Sequence, residues 1–305
     1  MNPILEISDL SVSFPGDRDG SRLQVIRDLD LRVYPGEILA VAGSSGSGKS
    51  LLASAILGIL PENAQVEGRM LYDGEPLTAR RQAELRGRDI SLVPQSVAFL
   101  DPLMKVGRQA DGHRRPRPTE ERRSIWQALQ LPRRTEKCYP HELSGGMARR
   151  VLVSTAMLGD ARLVIADEPT PGMSLEQARA ALGMFRSLAD RGCAVILITH
   201  DIDLAFDAAD RVAVFYAGTV LEVGDARAFR EGKVLHPYSR ALWEALPQNG
   251  FRPIAGAQPY AGQLPGGCLF APRCPYAQGR CQEQVPPMLR LDQREVRCFR
   301  GTEGE

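Results

Sequence analysis

Hydrophobic and polar residues alternate along two stretches near the start of the chain, residues 4–14 and 25–34. A period of two places successive side chains on opposite faces of a strand. Both stretches are therefore predicted to be half-buried antiparallel strands. A small hairpin is predicted over residues 68–76, because Asp73-Gly74 is typical of a tight two-residue turn.

Fully apolar runs show a second pattern. They occupy residues 38–42, 163–166, 194–198 and 211–215. Between the second and third runs, apolar residues recur at helical spacing over residues 175–188. Buried strands that alternate with helices indicate a parallel sheet with helical crossovers. The predicted fold class is α/β, with an antiparallel β subdomain formed by the alternating strands.

Two regions depart from this alternation. Residues 101–150 are rich in Arg and Pro at 114–118 and become helical from Thr119 through Leu131, which indicates an inserted helical subdomain over about 96–150. The tail from residue 248 is rich in Gly, Pro and Cys and is expected to be held by something other than a core. We predict one domain over residues 1–247 and a C-terminal extension over 248–305.

Composition limits the function classes. The chain has 305 residues, of which 43% are hydrophobic and 25% charged, as in a soluble protein with a sizeable core. Its net charge of +1 gives no overall electrostatic attraction to nucleic acid or to an anionic membrane surface. No apolar run is long enough to span a bilayer, and the first residues lack the pattern of a signal peptide. A cytoplasmic protein is expected.

The segment over residues 43–50 fits the pattern G-x-x-x-x-G-K-[ST] at every fixed position. An apolar run precedes it and a helical pattern follows it, which is the context that distinguishes a phosphate-binding loop from a flexible turn. Backbone amides of such a loop point at phosphates, Lys49 reaches the β- and γ-phosphates and the Ser50 hydroxyl can ligate Mg²⁺. The predicted nucleotide-binding residues here are Gly43, Ser44, Ser45, Gly46, Ser47, Gly48, Lys49, Ser50 and Leu51. The protein is predicted to bind a nucleoside triphosphate.

Further candidate residues follow the apolar strands. Asp167 and Glu168 end one buried strand, where the first can hold Mg²⁺ and the second can polarise the attacking water. Gln95 ends a short strand and can meet Mg²⁺ or that water, and His200 ends another, where its ring can contact the γ-phosphate. The segment 143–147 precedes a helix and suits a second phosphate. Each of the last three signals also has a plain structural explanation, the last as a helix cap.

In this order and spacing, these residues resemble the nucleotide-binding subunit of ABC transporters, a P-loop NTPase. The resemblance implies that 43–50 is the Walker A loop, Gln95 the Q-loop residue, and Asp167 and Glu168 the Walker B carboxylate and catalytic base. It further implies that His200 is the switch histidine, that Phe14 stacks on adenine, and that Ser144, Gly145 and Gly146 form the signature. Such subunits work as a head-to-tail pair, with each ATP held between one subunit's Walker A loop and the other's signature.

Finer features are similar to the ATPases of the oligopeptide/dipeptide/nickel importers. They lie at residues 139–147, 216–218, 236–242 and 267–275. The resemblance implies a second, non-identical ATPase subunit, two membrane permease subunits and an extracytoplasmic substrate-binding protein, with no nucleic acid partner. It also implies a location at the cytoplasmic face of the inner membrane, through the permeases.

Two segments depart from the family pattern. In the D-loop, 171–174, Ser174 occupies the position of the usual Asp, and the helix after the signature has Ala148-Arg149-Arg150 in place of Arg-Gln-Arg. Both segments face the partner's nucleotide in this family. We therefore expect that site to be altered and the partner ATPase to be a different chain.

The tail contains four cysteines within a short span, at Cys268, Cys274, Cys281 and Cys298. Four thiolates suit one zinc ion or one iron–sulfur cluster. The spacings are wider than those of common zinc fingers, and the resemblance implies a 4Fe–4S cluster in some members. We predict the cluster, with Zn²⁺ as the alternative and four free thiols as the third possibility. The metal is expected to stabilise the tail.

The predicted function is ATP hydrolysis, with Mg²⁺, by a subunit of an ABC importer that drives uptake through ATP-dependent dimer closure. The solute is a peptide, nickel or a related small molecule, which the sequence does not determine. Two alternatives remain: a soluble ABC-type ATPase acting on nucleic acid or ribosomes, and a catalytically weak, mainly structural ABC subunit.

Overall fold

A computed structural model describes residues 2–16, 21–111, 119–291 and 294–302. Within these ranges the strands form two sheets, one of four strands in the order β2-β1-β4-β5 and one of eight in the order β11-β12-β10-β9-β3-β8-β7-β6. The strands are β1 (Leu5–Pro15), β2 (Arg22–Val33), β3 (Ile38–Ala42), β4 (Gln65–Tyr72), β5 (Glu75–Pro76), β6 (Ile90–Val93), β7 (Leu163–Asp167), β8 (Ala194–Thr199), β9 (Arg211–Tyr216), β10 (Thr219–Asp225), β11 (Leu289–Leu291) and β12 (Arg294–Val296). The α-helices are α1 (Lys49–Leu57), α2 (Ala79–Leu85), α3 (Val106–Ala110), α4 (Thr119–Ala128), α5 (Gly145–Met157), α6 (Leu175–Asp190), α7 (Ile202–Ala208), α8 (Ala226–Arg230), α9 (Pro237–Glu244) and α10 (Gly279–Glu283).

The centre of the larger sheet is parallel, as the apolar runs predict. Strand β3 pairs with β8 and β9, and β7 pairs with β8 and β6, all in parallel. The register aligns Ala42 with Thr199, and Asp167 with Ile198. These strands are buried on both faces because helices cover them, which is why their sequences are continuously apolar. Their carboxyl ends meet at one edge of the sheet.

The smaller sheet is antiparallel, which confirms the prediction from the alternating pattern. Strand β1 pairs with β2 and with β4. The β4–β5 hairpin turns at Asp73 and Gly74, whose φ angles of 53° and 77° are those that a two-residue hairpin turn requires. Residues 17–20, between β1 and β2, lie outside the described part.

Helices α3, α4 and α5 occupy the region of the predicted insertion, between β6 and β7. Helix α4 corresponds to the predicted helix, while the Arg/Pro-rich residues 112–118 lie outside the described part. Trp126 of α4 is buried against α5, and its Nε1 donates to Ser154 Oγ at 3.0 Å. Helix α5 continues to Met157, past the predicted end of the insertion at 150.

The C-terminal extension packs against the rest of the chain more closely than expected. Strand β12 pairs with β10, with Glu222 opposite Val296, so the tail adds two strands to the larger sheet. Leu269 and Phe270 are buried in the cluster that contains Tyr216. The expectation that the tail lacks a core is therefore not met, because it shares one with the sheet. The domain boundary between residues 247 and 248 stays a prediction. Strand pairing and side-chain packing both join the two sides of it.

None of the helices in the described ranges is long and apolar enough to cross a membrane.

Candidate functional site

The loop over residues 43–50 connects β3 to α1 at the carboxyl edge of the parallel strands. A β-carbon at Gly43 would lie 2.1 Å from the carbonyl oxygen of Phe215, so only glycine allows the loop to pass this close to β9. Gly48 is the N-cap of α1, which begins at Lys49. The amides at this helix N-terminus and the helix dipole favour an anion in the loop.

Lys49 lies buried inside the loop. Its Nζ donates to the carbonyl oxygens of Gly43 and Ser44, each at 2.9 Å. Burial lowers the pKa of Lys49, and the nearby negative charges of Glu168 and Asp167 oppose that shift. The ammonium group is therefore held at the centre of the loop, with the carboxylates at the end of β7 nearby.

Asp167 lies beside the loop at the end of β7. Burial raises the pKa of its carboxyl, and a hydrogen bond from Ser50 partly offsets this. Among the described residues, Ser47 Oγ and Asp167 Oδ1 are buried side-chain oxygens without a hydrogen-bond partner. Unpaired buried oxygens are costly unless a ligand satisfies them. Together with the Ser50 hydroxyl they fit a phosphate group with its Mg²⁺ ion.

Glu168 and His200 are brought together by the pairing of β7 and β8. His200 Nδ1 lies 2.8 Å from Glu168 Oε2, with the carboxylate nearly buried and the imidazole 59% exposed. Glu168 has φ of 48°, a left-handed conformation that an L residue adopts at a cost of about 1–3 kcal/mol. Its amide donates to the Ile198 carbonyl at 2.9 Å, which holds this geometry.

The predicted site residues Gln95 and Phe14 differ in their exposure and lie on different sheets. Gln95 is exposed and follows β6, whose Val93 pairs with Ala166, so it lies at the same edge as Asp167. Phe14 lies in β1 opposite Leu23, and it packs partly buried against the hydrophobic core. The structure thus places Gln95 at the same sheet edge as the carboxylates, and Phe14 on the antiparallel sheet.

The signature segment begins helix α5. Ser144 is the N-cap, and its Oγ accepts a hydrogen bond from the Met147 amide at 3.3 Å. Ser144 and Gly145 are exposed, so this helix N-terminus is accessible to another molecule. A β-carbon at Gly146 would lie 2.9 Å from the Gly172 carbonyl oxygen, so glycine allows the signature to approach the D-loop closely.

Arg149 is a residue whose role the sequence did not suggest. Its Nη1 donates to the backbone carbonyl of Glu168 at 2.6 Å, which ties α5 to the end of β7. The only signal in the sequence was that this segment departs from the family pattern. The neighbouring Arg150 instead donates to the carbonyls of Leu129 and Gln130 within the helical region.

The unusual D-loop residue Ser174 has a clear local role. It is the N-cap of α6, where its Oγ accepts from the Gln177 amide and its own amide donates to Gln177 Oε1, both at 3.3 Å. Asp is an equally good N-cap residue. Ser174 therefore preserves the helix start that the usual Asp would provide.

The four tail cysteines line one small cavity together with His236 and Phe270. Burial raises the pKa of the Cys268 thiol to about 11 and also raises that of Cys274. All six cysteines are described and none forms a disulfide. However, the described residues contain no group of three or more His, Cys, Asp or Glu side chains placed to hold a metal ion. The structure therefore does not support the predicted iron–sulfur or zinc site.

Comparison with known families gives two matches. The ABC transporter family matches residues 26–171, and the C-terminal region of the oligopeptide/dipeptide transporter family matches residues 221–281. The second match spans the predicted domain boundary.

Curated relatives match nearly the whole chain. The oligopeptide transport ATP-binding protein OppD of Salmonella typhimurium is 35% identical over 99% of this chain and 95% of its own length. The protein of the same name from Mycobacterium tuberculosis is 37% identical over 95% of this chain, which spans only 50% of that relative.

Solved structures agree on the fold. A bacterial ABC transporter cassette solved as a dimer superimposes with a TM-score of 0.64 at 21% identity, covering 73% of this chain and 99% of the cassette. The mixed sheet with its flanking helices is thus the fold of that cassette.

Proposed function

Since the chain belongs to the ABC transporter family, among the ATP-binding subunits of the oligopeptide/dipeptide importers, we propose that it powers the import of peptides. It does so by hydrolysing ATP at the carboxyl edge of its parallel sheet. It is the ATP-hydrolysing subunit of an ABC importer. The observation that carries the site is the convergence of Lys49, Asp167 and Glu168 at one sheet edge, beside buried oxygens that lack a partner among the described residues.

The roles follow from the positions of the side chains. Lys49 and the loop amides bind the β- and γ-phosphates, and Ser50, Asp167 and Gln95 hold Mg²⁺. When bound, Mg²⁺ neutralises charge on the phosphates. Glu168 accepts a proton from the attacking water, and His200 orients the Glu168 carboxylate through their shared hydrogen bond.

An exposed apolar patch supports the assignment of a permease partner. Phe99 and Leu103 follow Gln95 closely and are 66% and 87% exposed, with Met104 beside them. An exposed group of large apolar side chains is typical of an interaction site. A partner bound to these residues would lie close to Gln95 in the chain. We assign the patch to a cytoplasmic helix of the permease, and we propose that the subunit lies at the cytoplasmic face of the inner membrane.

The remaining partners are proposed from the family resemblance. They are a second, non-identical ATPase subunit, a second permease and an extracytoplasmic substrate-binding protein. The exposed signature, with Ser144 at its start, would contact the ATP of the other ATPase. The soluble ATPase acting on nucleic acid is not favoured, because the relatives that match over the whole chain are named as peptide transport proteins.

We also propose that the four tail cysteines hold a metal, as a 4Fe–4S cluster or Zn²⁺. The proposal rests on the chemistry of the four thiol donors and on the cavity that these residues line, although the described thiols are not placed for coordination. Coordination would require the thiols to move closer and to lose their protons, and metal binding supplies free energy for both.

The test is transport by the reconstituted complex. The chain is co-expressed with its neighbouring permease, ATPase and binding-protein genes, and uptake of labelled peptides or nickel into proteoliposomes is measured with ATP inside the vesicle or outside it. Peptide uptake that requires ATP on the side of the ATPase subunits, and that stops with Glu168→Gln, supports the proposal. Hydrolysis without uptake of any of these solutes would contradict it.

A further inference from the structure

The C-terminal extension reaches the phosphate loop. Ser44 Oγ donates to Gln258 Oε1 at 2.7 Å, a contact between residues 214 positions apart. Gln258 is half-buried although its segment has no regular secondary structure. The buried Tyr238 of α9 also lies close to Ser44. Gln258 therefore holds one residue of the loop, and α9 lies beside that residue.

The segment that carries Gln258 is anchored by Arg273. Its Nε donates to the Ala255 carbonyl at 2.8 Å, its Nη2 to the Ile254 carbonyl at 3.3 Å, and its Nη1 to the Tyr216 hydroxyl at 3.2 Å. The Tyr216 ring in turn packs on Tyr238, with centroids 4.5 Å apart. The segment that contacts the loop is therefore held in place by side-chain hydrogen bonds and by aromatic packing.

The far end of the same segment lies against the antiparallel sheet. A β-carbon at Gly262 would lie 3.3 Å from Leu23 Cδ1 and 2.8 Å from the Tyr260 ring. Leu23 is the cross-strand partner of Phe14. Tyr260 is 64% exposed. Residues 258–262 therefore run from the phosphate loop to the strand pair where the base of the nucleotide is expected.

We propose that residues 258–262 form a wall of the nucleotide site, in which Tyr260 stacks on the base and Gln258 positions the phosphate loop through Ser44. The inference rests on the proposed function. An exposed tyrosine offers an aromatic face that suits a purine. Phe14 packs partly into the core, so Tyr260 supplies the more accessible ring on this side.

Photo-crosslinking tests the wall directly. The purified full-length chain is irradiated with 8-azido-ATP, whose reactive group is on the base. The chain is then digested, and the modified fragments are identified by mass spectrometry. Labelling of the peptide that contains Tyr260, removed by excess ATP, is expected. Labelling confined to β1 and β2 would overturn the inference while leaving ATP binding intact. No ATP-protected labelling anywhere would overturn the proposed function as well.

Substitutions test the roles of Tyr260 and Gln258 separately. Tyr260→Ala is expected to weaken ATP binding about fivefold or more, while Tyr260→Phe binds like the wild type, because the ring does the stacking. Phe251→Ala is the matched control, since Phe251 is an aromatic of the extension that is 72% exposed, against 64% for Tyr260. Unchanged ATP affinity in Tyr260→Ala would overturn the stacking role.

Inorganic triphosphate, which has no base, isolates the role of Gln258. Gln258→Ala is expected to weaken its binding about threefold, in line with one lost hydrogen bond, whereas Tyr260→Ala leaves it unchanged. The exposed Gln263→Ala, five residues further along, is the control. Equal triphosphate binding by Gln258→Ala and Gln263→Ala would overturn the positioning role.

Discussion

His200 Nδ1 lies 2.8 Å from Glu168 Oε2, so the residues that follow two neighbouring parallel strands share one hydrogen bond. A neutral imidazole carries one N–H. If that proton is on Nδ1 and points to Glu168, Nε2 offers only a lone pair. His200 can then donate to a γ-phosphate oxygen only when its ring is protonated or when it leaves Glu168. The two contacts predicted for this residue are therefore coupled.

Glu168→Gln should abolish ATP turnover and leave ATP binding intact, because the amide keeps the shape of the carboxylate but cannot accept a proton. Loss of a general base lowers kcat by about 10²- to 10⁴-fold. Phosphate release and equilibrium nucleotide binding measure the two effects. Lys49→Ala is the contrasting variant, and it should weaken ATP binding itself. Wild-type turnover by Glu168→Gln would show that the base is another residue.

His200→Ala should lower kcat by at least about tenfold with little change in ATP affinity, because the Glu168 carboxylate loses its orienting partner. His141→Ala, at an exposed histidine before the signature, serves as the control. Steady-state kinetics at saturating ATP decide the outcome. If His200→Ala changed ATP affinity alone, the shared hydrogen bond would have no part in the chemistry.

Arg149→Ala should lower kcat about tenfold while ATP affinity stays within twofold, since its hydrogen bond holds the strained backbone of Glu168. Arg179→Ala, at an exposed arginine of α6, removes a charge without this contact. Equal turnover in the two variants would mean that Arg149 serves only to pack α5.

Ser174→Ala should lower the melting temperature by about 1–2 °C, because it removes the N-cap of α6, a loss of about 1 kcal/mol. Ser174→Asp should melt like the wild type. The control is Ser187→Ala, whose hydroxyl donates to the Gly183 carbonyl within the same helix. Melting is followed by circular dichroism or calorimetry, and a melting temperature equal to wild type in Ser174→Ala would contradict the capping role.

Cys274→Ser should remove bound metal from the tail and loosen it, while ATP binding at Lys49 survives. Anaerobic purification, metal analysis and a visible spectrum identify the species: iron with a broad absorption indicates the cluster, and stoichiometric zinc the alternative. Cys138→Ser, outside the tail, is the control. Four titratable thiols without metal in the folded wild-type tail would refute the metal proposal.

The sequence alone determined the phosphate loop, the parallel strands and the carboxylates that follow them. Each of these signals is local: an apolar run of four or five residues specifies a buried strand, and Asp167 and Glu168 directly follow one. Because the carboxyl ends of parallel strands meet at one edge, order along the chain was enough to bring Lys49, Glu168 and His200 together.

Tertiary structure alone decided the contacts between distant segments. Ser44 with Gln258, and Arg149 with the Glu168 carbonyl, join residues that no periodicity relates. The tail shows the same limit, because its Gly- and Pro-rich composition gave no sign that β12 pairs with β10. A hydrogen bond or strand pairing over such separations depends on where the whole chain places both partners, and composition near either one does not encode it.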